Sequence, residues 1–331
     1  MLAAVITRPG PSDVLELREV PTPTPAAHDV LVRVHASALN RADLAQRVGR
    51  YAAPSGVPAD IPGLEFAGEI AATGSDVSRW RSGDRVFGLV GGGAHAEYVV
   101  VHERTIARIP DALPWHEAAA IPEAFLTAYD AMVTQGAMRA GDFVLVHAVA
   151  SGVGLAAVQV AKAWGARAFG TTRSADKLAI ASSLGMEDGI ALPDSPAPLV
   201  DAVRAWSGGN GADVVLDLVG GGYVAPSVDA AAFKGRVILV GAMGGADARF
   251  DGRQVLFKRL RLQGTTMRSR SLAERIAVAD VFTSEIIPRV ERGELRPVID
   301  TVYSFALVAD AHRRLESNDT TGKLILEVPA R

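Results

Sequence analysis

The chain has 331 residues, of which 49% are hydrophobic and 21% are charged, and its formal net charge is -3. This balance is typical of a globular protein, and the length favours two domains. The absence of cysteine excludes disulfide bonds, thiolate metal ligands, iron–sulfur clusters and cysteine nucleophiles. Because charges of both signs are interspersed, we expect small-molecule ligands and no nucleic-acid partner.

The first third of the chain alternates short β-rich runs with turn residues. The runs are Leu2 to Thr7, Val14 to Val20, Asp29 to Ala38, Gly68 to Thr73, Arg85 to Val90 and Ala96 to Val101. Such spacing, punctuated by prolines, predicts a barrel or compact sandwich. Arg8 and Pro9 come too early for the apolar core of a signal peptide, so we expect a first β-strand and a cytoplasmic protein.

After Pro122 the pattern changes to alternating strands and helices. Strand-like runs are Phe143 to His147, Arg167 to Thr171, Val214 to Leu218 and Arg236 to Val240. Helical segments lie between and after them, at Gly154 to Trp164, Asp176 to Leu184, Leu199 to Trp206 and Val224 to Phe233. Nearly continuous apolar strands are expected when helices cover both faces of a parallel sheet. The pattern predicts a doubly wound α/β domain and no membrane span.

The last segment needs a sheet that it cannot form alone. A helical stretch, Ser271 to Arg292, is followed by a strand, a helix and a strand at Val298 to Tyr303, Ala306 to Glu316 and Lys323 to Val328. The β-rich first domain is the available sheet. We therefore predict one domain from residues 1–122 and 267–331, interrupted by a second domain of residues 123–266.

A tight turn between a predicted strand and a helix is the candidate cofactor site. The strand Phe143 to His147 leads into residues 148–154, where Ala148, Ser151 and Gly154 fill the positions that must be small. The backbone can then approach a pyrophosphate and direct N–H groups at it from the start of a helix. We also expect cofactor contacts from the intervening turn residues, Ala150, Gly152 and Val153. An ordinary tight turn is the alternative, because the motif is not a literal G-x-G-x-x-G.

The end of the predicted strand Arg167 to Thr171, the second strand of the α/β domain, indicates which nicotinamide cofactor is bound. An acidic residue about 20 positions after the turn would accept hydrogen bonds from the ribose of NADH. No carboxylate precedes Asp176 here, whereas Arg173 and Lys177 can pair with a 2′-phosphate. Thr172 and Ser174 would add hydrogen-bond donors. NADPH is therefore favoured, and the alternative is that the two cations are solvated surface charges.

Several motifs, in order and at consistent spacing, resemble the medium-chain dehydrogenase/reductase superfamily over essentially the whole chain. The nearest likeness is to quinone oxidoreductases, particularly the p53-inducible quinone reductase type. The motifs are Ser37 to Leu44 with Gln46, Arg47, Gly49 and Tyr51; Pro62 to Gly68; Ala118 to Ala124; and Thr266 to Arg270. The resemblance implies an α/β protein in which a GroES-like, β-rich catalytic domain is interrupted by a doubly wound Rossmann domain, and it implies a homodimer.

The resemblance also implies chemistry without metal. In the zinc alcohol dehydrogenases of this superfamily, a cysteine falls where Asn40 stands and a histidine where Leu64 stands. A further cysteine would lie between Ala118 and Thr127. Catalytic zinc needs about three protein ligands, so Glu65 alone does not make a zinc site.

The expected catalytic residues come from the same resemblance. It places Asn40, Asp43 and Tyr51 near the nicotinamide, and it brings Arg268 or Arg270 into the cleft. Tyr51 can donate a hydrogen bond to a carbonyl oxygen or stack on a flat ring. Asn40 and Asp43, three residues apart, can equally cap a helix from Arg41 to Val48, and both roles are compatible.

Residues after the fourth predicted strand of the α/β domain complete the expected cofactor site. Gly241, Ala242 and Met243 follow Arg236 to Val240, at the strand ends where open α/β sheets bind ligands. Thr127 and Arg270 are the remaining expected cofactor residues.

The leading functional hypothesis is hydride transfer from NADPH to a quinone. Without a Lewis acid, substrates that accept hydride readily are favoured over simple ketones. Two alternatives stay open: reduction of α,β-unsaturated carbonyls or enoyl thioesters, and a non-catalytic NADPH-binding protein.

Overall fold

The structure, a computed structural model, describes residues 1–193 and 195–329. The chain divides into two compact units, the first formed by Met1–Leu126 with Met267–Arg331 and the second by Thr127–Thr266. The first junction lies inside the helix Pro122–Tyr129, so the predicted division after residue 122 falls at the start of that helix. In the described part of the chain, no helix is both long enough and apolar enough to cross a bilayer.

The strands and helices of the described residues follow in chain order. The strands are β1 (Leu2–Ile6), β2 (Leu15–Glu19), β3 (Asp29–Ala38), β4 (Glu65–Thr73), β5 (Arg85–Leu89), β6 (Tyr98–His102), β7 (Ile106–Arg108), β8 (Phe143–Val146), β9 (Arg167–Thr172), β10 (Met186–Ala191), β11 (Ala212–Asp217), β12 (Ala231–Leu239), β13 (Arg261–Gly264), β14 (Ile299–Ser304) and β15 (Lys323–Glu327). The α-helices are α1 (Arg41–Arg47), α2 (Trp115–Ala119), α3 (Pro122–Tyr129), α4 (Gly152–Ala163), α5 (Leu178–Leu184), α6 (Leu199–Trp206), α7 (Val224–Ala230), α8 (Gly252–Lys258), α9 (Leu272–Val281), α10 (Ile287–Glu291) and α11 (Val308–Glu316).

The first unit is built on an antiparallel sheet that its C-terminal segment completes. The strand order is β14-β15-β3-β4-β5-β7, with β6 also paired to β3. The antiparallel pairing of β15 with β3 sets Ile325 opposite Ala38, and β14 then adds in parallel to β15. Buried apolar side chains on these strands, among them Val32, Phe66 and Leu326, form the core. The prediction that the last strands join the first sheet is confirmed.

The second unit is a doubly wound parallel sheet, as the sequence predicts. Its strand order is β10-β9-β8-β11-β12-β13, and each neighbouring pair is parallel. All four residues of β8 are buried, which explains its unbroken apolar sequence. The chain moves outward in opposite directions from β8 and β11, so the point between their carboxyl ends is the topological switch point, where such sheets bind ligands.

A buried histidine connects three elements beside this switch point. His147 follows β8, its Nδ1 lies 3.0 Å from Thr171 Oγ1 on β9, and its Nε2 lies 2.9 Å from Ser227 Oγ on α7. The Ser227 hydroxyl donates to the Tyr223 carbonyl oxygen, so Nε2 donates to Ser227 and Nδ1 accepts from Thr171. Burial lowers the pKa of His147 to about 4, although the nearby Asp217 opposes the shift. The imidazole is therefore neutral at physiological pH.

This histidine should make stability dependent on pH. Between about 6.5 and 4 the unfolded chain binds a proton at His147 and the folded chain does not, so stability falls as the pH is lowered. Its contribution to the loss between pH 7.5 and 5.5 is about 1.4 kcal/mol. Urea unfolding of wild type and His147→Gln at both pH values checks this. The variant should lose less stability than wild type, by about that amount, and equal losses would contradict the assignment.

Candidate active site

The turn after β8 is tight enough to require small residues. Ala148 has a left-handed backbone, with φ of 48°. A Cβ atom on Gly154 would lie 2.5 Å from the Ala148 carbonyl oxygen and 2.6 Å from that of Val149, so no side chain fits there. Ser151 is the N-cap of the 12-residue helix α4, and its hydroxyl accepts a hydrogen bond from Gly154 N at 3.1 Å. The turn residues Ala150, Gly152 and Val153 thus lie at a helix N-terminus, which favours an anion such as a pyrophosphate.

Glycine-rich loops form a second part of the same sheet edge. Asp217, at the end of β11, accepts hydrogen bonds from Val219 N and Gly220 N, each at 2.8 Å. A Cβ atom on Gly241 would lie 2.3 Å from the Leu218 carbonyl oxygen, so the loops after β11 and β12 meet backbone to backbone. The groove between them borders about 770 Å³ of space, part of it open solvent, and Gly241 and Ala242 line it. The groove is lined mostly by glycine and alanine, whose small side chains allow a ligand to approach the backbone closely.

Two expected cofactor residues of the second unit lie apart from this groove lining. The side chain of Met243 is half-exposed and does not line the groove. Thr127 is buried on α3. The structure therefore brings together the turn after β8 and the Gly241–Ala242 segment at one sheet edge, but it leaves the roles of Met243 and Thr127 as predictions.

The candidate phosphate-recognition residues follow the end of β9. Thr172 is buried at the strand end, Arg173 is exposed, and Lys177 ends a short 3-10 helix. Burial raises the pKa of Tyr223, which follows β11, and the nearby positive charge of Arg173 acts in the opposite direction. The side chain of Arg173 therefore lies near that of Tyr223, beyond the carboxyl ends of β9 and β11. The Ser174 hydroxyl, expected as a further donor, already donates to Asp176.

Asn40 and Asp43, in the first unit, form the start of α1. Asp43 Oδ2 accepts from Asn40 N at 2.7 Å, and Asp43 Oδ1 accepts from Gly63 N at 2.9 Å. Asp43 is completely buried, so its carboxylate fixes the helix start against the loop before β4. Asn40 is the N-cap of α1, as expected, and its side chain also contacts a charged group on β15, whereas its role near the nicotinamide stays a prediction.

That charged group is a buried lysine. Lys323 Nζ lies 2.6 Å from Glu65 Oε1 and donates to Asn40 Oδ1 at 2.7 Å. Asn40 Nδ2 donates to the same Glu65 oxygen at 3.0 Å, and Glu123 N donates to Glu65 Oε2 at 2.7 Å. We call Asn40, Glu65 and Lys323 the lysine–glutamate cluster. No sequence pattern pointed to Lys323, because it begins the apolar strand β15 as an ordinary surface lysine would.

The cluster does not fit a zinc ion. Both oxygens of Glu65 already accept hydrogen bonds, and an ammonium group lies within 2.6 Å of one of them. Asn40 offers an amide, and Leu64 offers no ligand atom, where a zinc site would need thiolate or imidazole. Within residues 1–193 and 195–329, no three histidine, aspartate or glutamate side chains are grouped so as to hold a metal.

Tyr51 lies under a guanidinium group that holds its loop. Arg268 lies over the Tyr51 ring at 4.8 Å and donates to the Tyr51 carbonyl oxygen at 3.2 Å, to Gln46 Oε1 at 2.6 Å and to the Gly91 carbonyl oxygen at 2.7 Å. Burial raises the pKa of the Tyr51 phenol, although the charge of Arg268 opposes it. Tyr51 is therefore protonated at neutral pH and able to donate. Arg268, expected to reach the cleft, uses these three donors to position the tyrosine loop.

Arg268 also lines a pocket of the first unit. Arg270, an expected cofactor residue, lines the same pocket, and the apolar lining includes Leu64, which precedes β4. The helix α9 contributes Arg275 to this lining, a residue that no sequence motif indicated.

Comparison with known proteins agrees with both units. Residues 26–111 match the family model described as alcohol dehydrogenase GroES-like domain, and residues 152–282 match the one described as zinc-binding dehydrogenase. A quinone oxidoreductase of Homo sapiens is 31% identical, with 96% of this chain and 94% of that protein covered. One of Lama guanicoe is 32% identical, with 98% and 97% covered.

Solved structures show the same architecture. A protein described as an NAD-dependent alcohol dehydrogenase is 34% identical, with a TM-score of 0.88 and coverage of 99% of this chain and all of that one. A quinone oxidoreductase of Pseudomonas syringae pv. Tomato DC3000 is 29% identical, with the same TM-score and coverage. A mycobacterial protein solved with NADPH is 26% identical, also with a TM-score of 0.88 and that coverage.

These likenesses over nearly the whole chain identify its family and confirm the predicted fold, a GroES-like domain interrupted by a Rossmann domain. The chain belongs to the quinone oxidoreductase family of the medium-chain dehydrogenase/reductase superfamily and is an oxidoreductase with a nicotinamide cofactor.

Proposed function

We propose that this protein reduces quinones by hydride transfer from NADPH, without a metal ion. The observation that carries the proposal is the lysine–glutamate cluster, in which an ammonium group neutralises Glu65 where a zinc enzyme of the superfamily would assemble its metal ligands. Without a Lewis acid, a simple ketone is poorly polarised. A quinone accepts hydride readily, so binding and orientation by the protein can suffice.

The second unit carries the residues proposed to bind NADPH. The turn from Ala148 to Gly154 would hold the pyrophosphate, and the groove at Gly241 and Ala242 would hold the nicotinamide end. Arg173, with Lys177 and Thr172, would bind the 2′-phosphate through charge-assisted hydrogen bonds. When bound, the cofactor supplies the hydride.

The first unit carries the residue proposed to orient the acceptor. Tyr51 is protonated, and the described residues provide no hydrogen bond to its hydroxyl oxygen, so the phenol can donate to a quinone oxygen. Hydride addition leaves negative charge on that oxygen, which a donated hydrogen bond stabilises. Arg268 is the positioning residue, because its bonds to Tyr51 O, Gln46 and Gly91 fix the loop.

We also propose a homodimer in the cytoplasm. The second unit exposes three large apolar side chains that a second copy would cover: Phe233 at 60%, Leu256 at 70% and Phe257 at 71%.

A panel of acceptors tests the proposed reaction. We expect NADPH oxidation with ortho- and para-quinones, weaker activity with enones and none with simple aldehydes, because quinones accept hydride most readily, enones less readily, and simple carbonyls only when a metal polarises them. Rates measured by absorbance should be unchanged by prior dialysis against a chelator and by added zinc. Loss of activity after chelation, or aldehydes as the sole substrates, would refute metal-free quinone reduction.

The cofactor preference depends on Arg173 in this proposal. Arg173→Asp should raise the KM for NADPH about 10- to 100-fold, because it replaces a cation that pairs with the 2′-phosphate by an anion that repels it. The KM for NADH should change much less. Arg204→Asp on α6, whose side chain is 65% exposed, is the matched control and should alter neither. Equal changes for both cofactors would contradict the role.

The acceptor role of Tyr51 is tested by Tyr51→Phe. The ring and its contact with Arg268 remain, so kcat/KM for quinones should fall about 10- to 100-fold through loss of the donated hydrogen bond. The Kd for NADPH, measured by fluorescence, should be unchanged. Tyr303→Phe makes the same change on β14, where the side chain is partly buried against the core of the first unit, and it should leave activity intact. Wild-type rates in Tyr51→Phe would exclude the phenol as donor.

A further inference from the structure

Tyr223, in the second unit, is a partly buried tyrosine whose ring packs against the buried His147. The two ring centroids lie 5.0 Å apart, and the ring planes meet at 71°. His147 is itself bonded to Thr171 on β9 at 3.0 Å, and the Ser227 hydroxyl donates to the Tyr223 carbonyl oxygen at 2.6 Å. These contacts fix Tyr223 beyond the carboxyl ends of β8 and β11.

The ring of Tyr223 lies on the side of β11 that faces β8 and β9. The strand order is β9-β8-β11-β12, and His147, which the ring contacts, follows β8. Gly221 and Val224, which are close to Tyr223 in the chain, line the groove between the loops after β11 and β12, whereas Tyr223 does not. Arg173 follows β9, and its charge acts on the phenol. The phenol therefore approaches Arg173 and points away from the groove proposed for the nicotinamide end.

The hydroxyl group of Tyr223 is available to donate a hydrogen bond to a ligand. Burial raises the pKa of the phenol, and the charge of Arg173 opposes this shift while that of Asp217 adds to it, so the group is protonated at neutral pH. The Asp217 carboxylate accepts hydrogen bonds from Val219 N and Gly220 N. Within residues 1–193 and 195–329 the Tyr223 hydroxyl has no hydrogen-bond partner, and solvent reaches it.

We propose that Tyr223 is a specificity residue for the cofactor, whose phenol donates a hydrogen bond to the 2′-phosphate of NADPH beside Arg173. A phosphate monoester has three terminal oxygens, so a guanidinium group and a phenol can bind it together. A hydrogen bond to a charged acceptor is stronger than one to a neutral ribose hydroxyl, so the phenol favours NADPH over NADH. The proposal rests on the proposed function in taking NADPH as the cofactor.

Binding of adenosine fragments tests this contact independently of turnover, since 2′,5′-ADP and 5′-AMP differ only in the 2′-phosphate. Tyr223→Phe keeps the ring and its packing against His147. In calorimetry it should raise the Kd for 2′,5′-ADP about 10-fold and change the Kd for 5′-AMP much less. Tyr303→Phe on β14, in the other unit, should leave both Kd values unchanged. An unchanged Kd for 2′,5′-ADP in Tyr223→Phe, or equal changes for the two fragments, would overturn the proposal.

Turnover then separates this inference from the proposed function. In Tyr223→Phe the KM for NADPH should rise about 10-fold, whereas the KM for NADH and the kcat with either cofactor should change much less. Quinone reduction with an unchanged KM for NADPH would keep the reductase function and reject the role of Tyr223. Binding of 2′,5′-ADP that depends on Tyr223, without reduction of any quinone, would reject the reductase function and keep the phosphate contact.

Discussion

The ion pair between Lys323 and Glu65 is the contact on which the first unit depends. It joins β15, near the end of the chain, to β4, and through Glu123 N it also reaches the start of α3. Both charges are buried, so each requires the other: removing one partner of such a pair typically costs about 3–5 kcal/mol. A domain assembled from two distant parts of the chain is thus fixed where its parts meet.

The same pair occupies the oxygens of Glu65. A carboxylate whose oxygens accept bonds from an ammonium, an amide and a backbone N–H has little capacity left for a metal. The side chain of Lys323 supplies the positive charge that neutralises Glu65. The ammonium group held by Glu65 and Asn40 also orders the start of α1, because Asn40 is the N-cap of that helix.

Much of the fold could be predicted because the pattern of apolar residues along a strand shows which of its faces are buried. The ten-residue strand β3 has the predicted bounds, and the unbroken apolar run of β8 correctly indicated a parallel sheet. The strand β10 was missed because it lies at a sheet edge, where Glu187 and Asp188 face solvent and interrupt the apolar pattern. The long predicted helix after Ser271 is divided into α9 and α10 by a π-helical segment, Phe282–Ile286, which no local pattern indicated.

The candidate site was less predictable, because its geometry depends on contacts between residues far apart in the chain. The resemblance indicated both Tyr51 and Arg268. The sequence could not show that Arg268 donates a hydrogen bond to the Tyr51 carbonyl oxygen, because the two residues are 217 positions apart in the chain. Nor could it tell that Lys323 is buried, since a lysine at a strand start is usually solvated. A buried cation needs several oxygen acceptors, and here they come from Leu39, Asn40 and Glu65. The roles of polar residues in this site therefore follow from which partners the fold brings to them, and the residue types alone leave those roles open.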